Sequence, residues 1–266
     1  MSIGDLTQTS GTRTGPLADR EAVRLSAVLL VTSVIVLLIA TVFHPNGGDP
    51  NDHPATFTLY AQSAGWTADH LLQFIGGAIG IAGLIVLFYA LNLLDGMSML
   101  AARIGVVSAG VALALAAVDL AVDGVALKRA VDAWVSAPDS EKAVRFASAE
   151  AVRWLEEAAA SYQAIVLGVT LILLAALILW TARIPRPIGY LLALAGAGYV
   201  AVGWITGVSG FAPERAIPQY VVLLSQPIAS VWLLISAWRM PASGEIAPES
   251  GSPARGNDAG AAARSR

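Results

Sequence analysis

Long apolar segments separated by short polar stretches dominate the pattern along the chain. There are six such segments, each of about twenty residues, which is the helix length that crosses about 30 Å of hydrocarbon at about 1.5 Å per residue. Backbone amides find no water in the lipid interior, so each segment is predicted to be helical. The predicted spans cover residues 25–43, 71–90, 104–123, 159–180, 188–208 and 219–238.

The two ends of the chain lack any apolar period. The first twenty residues are rich in Thr, Gly and Ser, and the chain after Met240 turns to Pro, Ser, Gly and Ala. Such segments bury too little apolar surface to offset the entropy cost of folding. We predict disordered cytoplasmic tails at residues 1–20 and 241–266, flanking a six-span transmembrane domain at residues 21–240. The fold class is an all-α polytopic membrane helical bundle.

The connection between the third and fourth spans, residues 126–157, contains Pro138 as its only strong helix breaker. Asp139 or Ser140 can cap a new helix there. We predict one helix that extends the third span and another that runs through Trp154 into the fourth span, which makes this an extracytoplasmic helical loop. The i,i+4 ion pairs that support it are Glu141–Arg145 and Arg153–Glu157.

Composition strengthens the membrane prediction. The chain is 56% hydrophobic and 13% charged, with a mean hydropathy of +0.67. A soluble domain has about 25% charged residues. The net charge of -3 indicates no nucleic-acid partner, and the absence of Cys excludes disulfides and thiolate chemistry. The preference for Arg over Lys, with abundant Ala, Gly and Val, favours a bacterial genome of high GC content.

The positions of the basic residues predict the orientation. The short stretch 181–187 contains Arg183 and Arg186, whereas residues 44–69 contain no Lys or Arg. Short loops that carry Lys and Arg stay on the cytoplasmic side. We therefore expect a multi-pass protein of the cell inner (cytoplasmic) membrane, with its N-terminus and C-terminus in the cytoplasm.

The third span has one face of small residues that ends in two carboxylates. Small residues allow close helix packing in lipid, so this face should point into the bundle. Carboxylates within a span are costly and mark functional sites. Asp119 is the deeper of the two and is the predicted charged anchor. In order, the face contains Gly105, Ala109, Ala112, Ala116, Asp119 and Asp123.

Polar residues also follow single faces of the second, fourth and sixth spans. If the second and third spans pack antiparallel, the first turns of the second span lie at the depth of the two carboxylates. We predict an outward-facing polar cavity. Its candidate lining residues are Asp119, Asp123, His70, Gln73, Gln163 and Gln226.

Each polar residue also has a purely structural interpretation. Asp69 would favour the positive end of its helix, with Thr67 as the N-cap. Asp123 would pair with Lys128 or Arg129 at the membrane interface. The Gln side chains would join neighbouring helices by hydrogen bonds. The remaining acidic residues of this region, interpreted as surface charges, are Glu156 and Glu157.

Metal binding is a further hypothesis, because all three His residues fall on the outer side with Asp residues among them. They are His44, His53 and His70, and the candidate metal ligands are His70 and Asp119. No HxxxH or HExxH spacing is present, and no cofactor is expected.

The cluster Trp66-x3-His70-x2-Gln73-x2-Gly76 opens the second span. It resembles an uncharacterised family of small multi-pass bacterial membrane proteins, a domain of unknown function. That resemblance implies no activity and no residue roles.

Three functions are compatible with these features. The first is binding or permeation of a small solute, cation or lipid headgroup in the cavity. The second is a membrane enzyme, such as a metal-assisted hydrolase, that uses His70 with Asp119 or Asp123. The third is an accessory or scaffold subunit whose partner is another membrane protein. The absence of a recognised catalytic motif disfavours the enzyme.

Overall fold

The computed structural model describes residues 18–45, 47–93 and 96–241. Within those ranges the secondary structure is helical. The α-helices are α1 (Arg20–Phe43), α2 (His53–Gln62), α3 (Trp66–Ala90), α4 (Gly96–Ala121), α5 (Lys128–Val135), α6 (Asp139–Thr181), α7 (Arg186–Ser209) and α8 (Ala216–Arg239). A π-helical turn, Val122–Leu127, joins α4 to α5, and a 3-10 turn, Pro213–Arg215, precedes α8.

Six of these helical stretches are long and apolar enough to cross a membrane. This confirms the predicted six spans and the all-α fold class. Large apolar side chains on the outer surface of the bundle, such as Leu38, Val111 and Leu194, are exposed and supply the contact with the lipid bilayer. The spanning stretches are Arg20–Phe43, Trp66–Ala90, Gly96–Val135, Asp139–Thr181, Arg186–Ser209 and Pro213–Arg239.

The third and fourth spans extend beyond their apolar segments, as predicted. Helix α6 is 43 residues long and passes through Trp154 without a break. The predicted cap at Asp139 or Ser140 is wrong. Pro138 occupies the N-cap position in an extended conformation, and its carbonyl accepts the N–H of Glu141 at 2.9 Å.

The start of α1 is fixed by Asp19, whose carboxylate accepts the backbone N–H groups of Glu21 and Ala22. The N–H of Asp19 donates to the carbonyl of Ala90 at 2.9 Å, which ties the beginning of α1 to the end of α3. The predicted tails before residue 18 and after residue 241 lie outside the described residues, and the division into domains stays a prediction.

Glycine and serine form the contact between α1 and α3. The Ser33 hydroxyl donates to the carbonyl of Gly76 at 2.7 Å, and the Ser26 hydroxyl donates to that of Gly83 at 2.8 Å. A Cβ at Gly80 would lie 2.5 Å from Ser33 Oγ. The glycine face of the second span therefore packs against the first span, and only the polar turns above it reach the cavity.

A second glycine contact joins α6 to α7. A Cβ on Gly168 would lie 2.6 Å from the carbonyl oxygen of Gly196, and one on Gly203 would lie 2.6 Å from that of Ser161. The Ser161 hydroxyl donates to the Gly203 carbonyl at 2.7 Å. Backbone approach this close brings α6 to the centre of the bundle, where it also packs along α4.

Helix α2 covers one end of the bundle with an aromatic cluster, which comprises Phe57, Tyr60, Trp66, Leu127, Val131 and Ala149. It packs against α5. A larger apolar core fills the bundle beyond this layer. The end that holds α2 is called the α2 end below.

Candidate functional site

A polar cavity of about 460 Å³ opens at the α2 end. Helices α2, α3, α4 and α6 line it, together with the turn before α8 and part of the chain between α1 and α2. Binding pockets for small molecules have volumes of about 300–1,000 Å³. The charged residues that line this cavity are Asp119, Asp123, Arg153, Glu156 and Arg215.

Three of the six residues predicted to line a cavity do line it: Asp119, Asp123 and Gln73. Gln163 lines a smaller neighbouring cavity of about 190 Å³, which shares Phe211 and Arg215 with the first. The small-residue face of the third span is buried at Gly105, Ala109, Ala112 and Ala116, as predicted.

The other two candidates do not line the polar cavity. Gln226 Oε1 accepts the hydroxyl hydrogen of Tyr199 at 3.1 Å and joins α7 to α8. His70 is buried beneath the aromatic cluster, and its Nε2 lies 2.7 Å from Asp123 Oδ2. The antiparallel pairing of the second and third spans therefore brings His70 to Asp123.

Hydrogen-bond chemistry fixes the proton count of the His70–Asp123 pair. His70 Nδ1 lies 2.7 Å from the carbonyl oxygen of Trp66, which only accepts, so Nδ1 carries a hydrogen. The contact from Nε2 to the Asp123 carboxylate then requires a second proton, on either the imidazole or the carboxyl group. The pair therefore holds one shared proton.

The π-helical turn positions Asp123 for this contact. A Cβ on Gly124 would lie 2.6 Å from His70 Cβ, so α3 approaches the turn too closely for any larger residue. The Trp66 indole donates to the Asp123 carbonyl at 2.9 Å, and the Thr67 hydroxyl donates to the Gly124 carbonyl at 2.7 Å. Both accepting carbonyls belong to the π turn.

Two structural interpretations of this region are wrong. Asp123 pairs with neither Lys128 nor Arg129; Lys128 Nζ instead lies 2.6 Å from Asp132 Oδ1, one helical turn along. Thr67 does not cap α3, because the helix already begins at Trp66 after Gly65.

Asp69 does lie in the first turn of α3, as predicted, and it is buried there. Its Oδ2 accepts a hydrogen bond from Gln73 Nε2 at 2.9 Å. The Gln73 amide therefore lines the cavity with part of its hydrogen-bonding capacity already used.

Glu156 and Glu157 are not surface charges. The Glu156 side chain is 4% exposed and its Oε2 lies 2.8 Å from Arg153 Nη1. Glu157 Oε1 lies 3.4 Å from Arg153 Nε. The interpretation failed because Tyr60 of α2 and Phe211, which follows α7, cover this part of α6 and bury Arg153 and Glu156.

Aromatic rings surround Arg153. Its Nη1 donates to the Tyr60 hydroxyl at 3.3 Å, and its guanidinium lies 4.4 Å from the centre of the Phe211 ring. Burial raises the pKa of Tyr60 to about 12. The phenol therefore stays neutral and can accept from the guanidinium.

Arg215 was missed at the sequence level. Its guanidinium lies 4.3 Å from the centre of the same Phe211 ring, and its Nε donates to Gln219 Oε1 at 3.2 Å. No carboxylate within the described residues forms an ion pair with it. Sequence spacing gave no signal, because Arg215 reaches the cavity only through the turn that precedes α8.

Asp119 is the cavity carboxylate whose oxygens remain available to a ligand. In the part of the chain that the structure describes, its side chain forms neither a hydrogen bond nor an ion pair. It lies one turn deeper in α4 than Asp123, which is occupied by His70.

The predicted metal ligands His70 and Asp119 do not form a ligand set. Within residues 18–45, 47–93 and 96–241, no group of three or more His, Cys, Asp or Glu side chains is placed to hold a metal ion. His53 is used elsewhere, with its Nδ1 3.0 Å from Glu150 Oε1.

Comparison with known proteins assigns a family but no activity. Neither a curated protein nor a solved structure matches the chain significantly. The family described as a domain of unknown function (DUF4386) matches residues 18–237, which include the first five spanning stretches and all but the last two residues of the sixth. This confirms the resemblance noted from the opening of the second span. The chain therefore belongs to the DUF4386 family of helical multi-pass membrane proteins.

Proposed function

We propose that the protein binds a small polar solute or lipid headgroup in the cavity at the α2 end, with Asp119 as its charged anchor. The supporting observation is that Asp119 lines the cavity without a hydrogen bond or ion pair among the described residues. An ionised carboxylate inside a membrane protein needs a counter-charge, water or a ligand.

The other acidic residues of the cavity are already occupied. Asp123 shares a proton with His70, and Glu156 neutralises Arg153. These contacts fix the walls, so that a ligand meets side chains already held in position. Such preorganisation lowers the entropy cost of binding.

We further propose that the protein lies in a bacterial inner membrane with both termini in the cytoplasm, so that the cavity faces outward. The basic residues support this orientation, since the connection 181–187 at the opposite end of the bundle contains Arg183 and Arg186. The stretch between α1 and α3 contains no Lys or Arg.

A membrane hydrolase is the second candidate, because His70 and Asp123 form a hydrogen-bonded pair of the kind that moves protons in catalysis. Two observations favour binding instead. Both ring nitrogens of His70 are occupied, and the imidazole lies outside the polar cavity. If the protein is a hydrolase, His70→Gln should abolish turnover. If it is a binding protein, the folded His70→Gln variant should keep its affinity for the ligand.

The binding function is tested with purified full-length protein and thermal melting. The probes are sodium chloride, ethanolamine, O-phosphoethanolamine and nanodiscs that contain phosphatidylethanolamine. We expect at least one probe to raise the melting temperature, because a ligand at 100 times its Kd adds about 2.7 kcal/mol of stability. Asp119→Asn should melt normally without a probe and bind that probe at least tenfold more weakly.

The matched control is Asp132→Asn, which removes an exposed carboxylate far along the same helical segment. It should bind like the wild type. If no probe stabilises the wild type, or if Asp119→Asn responds as the wild type does, the binding function is wrong.

Orientation is tested by labelling single cysteines in a protein that has none of its own. Ser140→Cys should react with an impermeant maleimide on intact cells, and Ser252→Cys should react only after lysis. Labelling of Ser252→Cys from outside would reverse the topology.

A further inference from the structure

From the charges that remain unpaired in the cavity, we infer that its ligand is a zwitterion, with an ammonium group held by Asp119 and an acidic oxyanion held by Arg215. This deepens the proposed binding function and rests on it. The ligand class follows from comparing the charged residues that are paired within the protein with those that are not.

Three of the five charged residues of the cavity are paired within the protein. Glu156 Oε2 lies 2.8 Å from Arg153 Nη1, with Glu157 at 3.4 Å from Arg153 Nε. Asp123 Oδ2 lies 2.7 Å from His70 Nε2. These contacts use the charges of Arg153, Glu156 and Asp123 within the walls.

One carboxylate and one guanidinium are left. Asp119 and Arg215 both line the cavity, and neither forms an ion pair within the described residues. Asp119 of α4 and Arg215 of the turn before α8 do not form an ion pair with each other. A cavity of about 460 Å³ thus contains one carboxyl group and one guanidinium group that form no ion pair within the described residues.

Contacts with Phe211 and Gln219 orient the Arg215 guanidinium for binding an anion. The Phe211 ring lies between two guanidinium groups, at 4.4 Å from Arg153 and 4.3 Å from Arg215. The Arg215 Nε is bonded to Gln219, and no hydrogen-bond partner satisfies its buried Nη1 within the described residues. A stacked, oriented guanidinium is the preferred partner of a carboxylate or phosphate group.

A ligand with a single charge would leave the opposite charge of the cavity unsatisfied. An amine bound at Asp119 would leave Arg215 without a counter-charge, and an anion bound at Arg215 would leave Asp119 without one. A ligand that carries both groups satisfies both residues at once, which explains why the protein keeps two opposite charges apart.

This chemistry has two sources, a free zwitterionic solute and a zwitterionic lipid headgroup. The shared requirement is an ammonium group and an oxyanion within one small molecule. O-phosphoethanolamine represents the free form, and phosphatidylethanolamine in a nanodisc represents the lipid form.

The test measures affinities for full-length protein by thermal melting with three matched soluble probes. Ethanolamine carries only the ammonium group, inorganic phosphate only the oxyanion, and O-phosphoethanolamine carries both. We expect O-phosphoethanolamine to bind at least tenfold more tightly than either half. In the lipid arm, phosphatidylethanolamine added to phosphatidylglycerol nanodiscs should raise the melting temperature.

Two variants separate the two ends of the ligand. Asp119→Asn should lower affinity for O-phosphoethanolamine at least tenfold and leave phosphate binding unchanged. Arg215→Gln should lower it similarly and leave ethanolamine binding unchanged. Arg215→Lys keeps the charge and should retain part of the affinity. Controls are Asp132→Asn and Arg145→Gln, which alter exposed pairs and should change nothing.

The pattern of responses to the probes distinguishes a free solute from a lipid headgroup. A response to the soluble zwitterion supports a free solute, and a response confined to the lipid, lost in both variants, supports a headgroup. If ethanolamine binds as tightly as O-phosphoethanolamine and Arg215→Gln has no effect, the cavity is a cation site and the inference fails while the binding function stands. If only sodium binds, or no probe binds, the inference also fails.

Discussion

Helix α6 carries two acid–arginine contacts of nearly identical sequence spacing in very different surroundings. Glu141 and Arg145 pair at 3.0 Å near its start, and both side chains are 52% exposed. Arg153 and Glu156 pair at 2.8 Å further along the helix, where they are 3% and 4% exposed. The comparison shows that one local pattern gives a solvated surface pair in one place and a buried cavity wall in another.

The difference lies in what covers each part of the helix. The start of α6 packs against α5, where Lys142 Nζ donates to the carbonyl of Trp134 at 3.0 Å. The later part is covered by Tyr60 from α2 and by Phe211 from the turn that follows α7. Water screens the first pair, whereas the second interacts in a low-dielectric interior where a lost partner is costly.

The largest expected effect comes from Glu156→Gln. Among the described residues it leaves Glu157 as the one carboxylate paired with the buried guanidinium of Arg153, so the free energy of unfolding should fall by about 3 kcal/mol. Thermal melting in detergent measures the loss. Arg153→Met combined with Glu156→Leu should recover part of it, since the charge that then loses its partner is that of the partly exposed Glu157. A Glu156→Gln variant that melts like the wild type would contradict the burial of this pair.

A smaller effect is expected at the pair formed by His70 and Asp123. Asp123→Ala leaves His70 Nε2 buried without a partner and should cost about 1–3 kcal/mol. Asp123→Asn should cost less than Asp123→Ala, because the amide N–H can donate to a neutral His70. Equal losses in the two variants would argue against the shared-proton contact.

Tyr60→Phe tests the aromatic cover of the buried pair. It removes the hydroxyl that accepts from Arg153 Nη1 and should cost about 0.5–1.5 kcal/mol near neutral pH. The folded pKa of about 12 exceeds the ordinary 10.0, so Tyr60 stabilises the fold below pH 10, and that stability is lost as the pH rises toward 12. Tyr60→Phe should therefore lose less stability than the wild type between pH 10 and 12.

The smallest effect is expected at the exposed pair. Glu141→Gln should change the free energy of unfolding by about 0.5 kcal/mol or less, because solvent already screens the contact. Raising the salt concentration should shrink the difference further. A loss as large as that of Glu156→Gln would remove the contrast between the two parts of α6.

Part of the candidate site was readable from the sequence. Asp119 and Asp123 end a face of small residues that must point into the bundle, and their place beside Gln73 follows from antiparallel packing of two spans. Antiparallel packing of the same two spans also placed His70 at the depth of the two carboxylates. Which of the two carboxylates it contacts was left open, because no sequence pattern of the span predicts the π turn that contains Asp123.

The sequence by itself determined the class and the spans of this protein. Apolar segments of about twenty residues form helices in lipid, because the backbone hydrogen bonds must be satisfied within the segment. Faces of small residues pack against neighbouring helices. Tertiary structure decided which charges are buried and which stay free. Arg153, Glu156 and Arg215 acquire their surroundings from α2 and from Phe211, which are distant along the chain. Burial of a charge depends on the segments that pack over it, and local spacing does not encode that information.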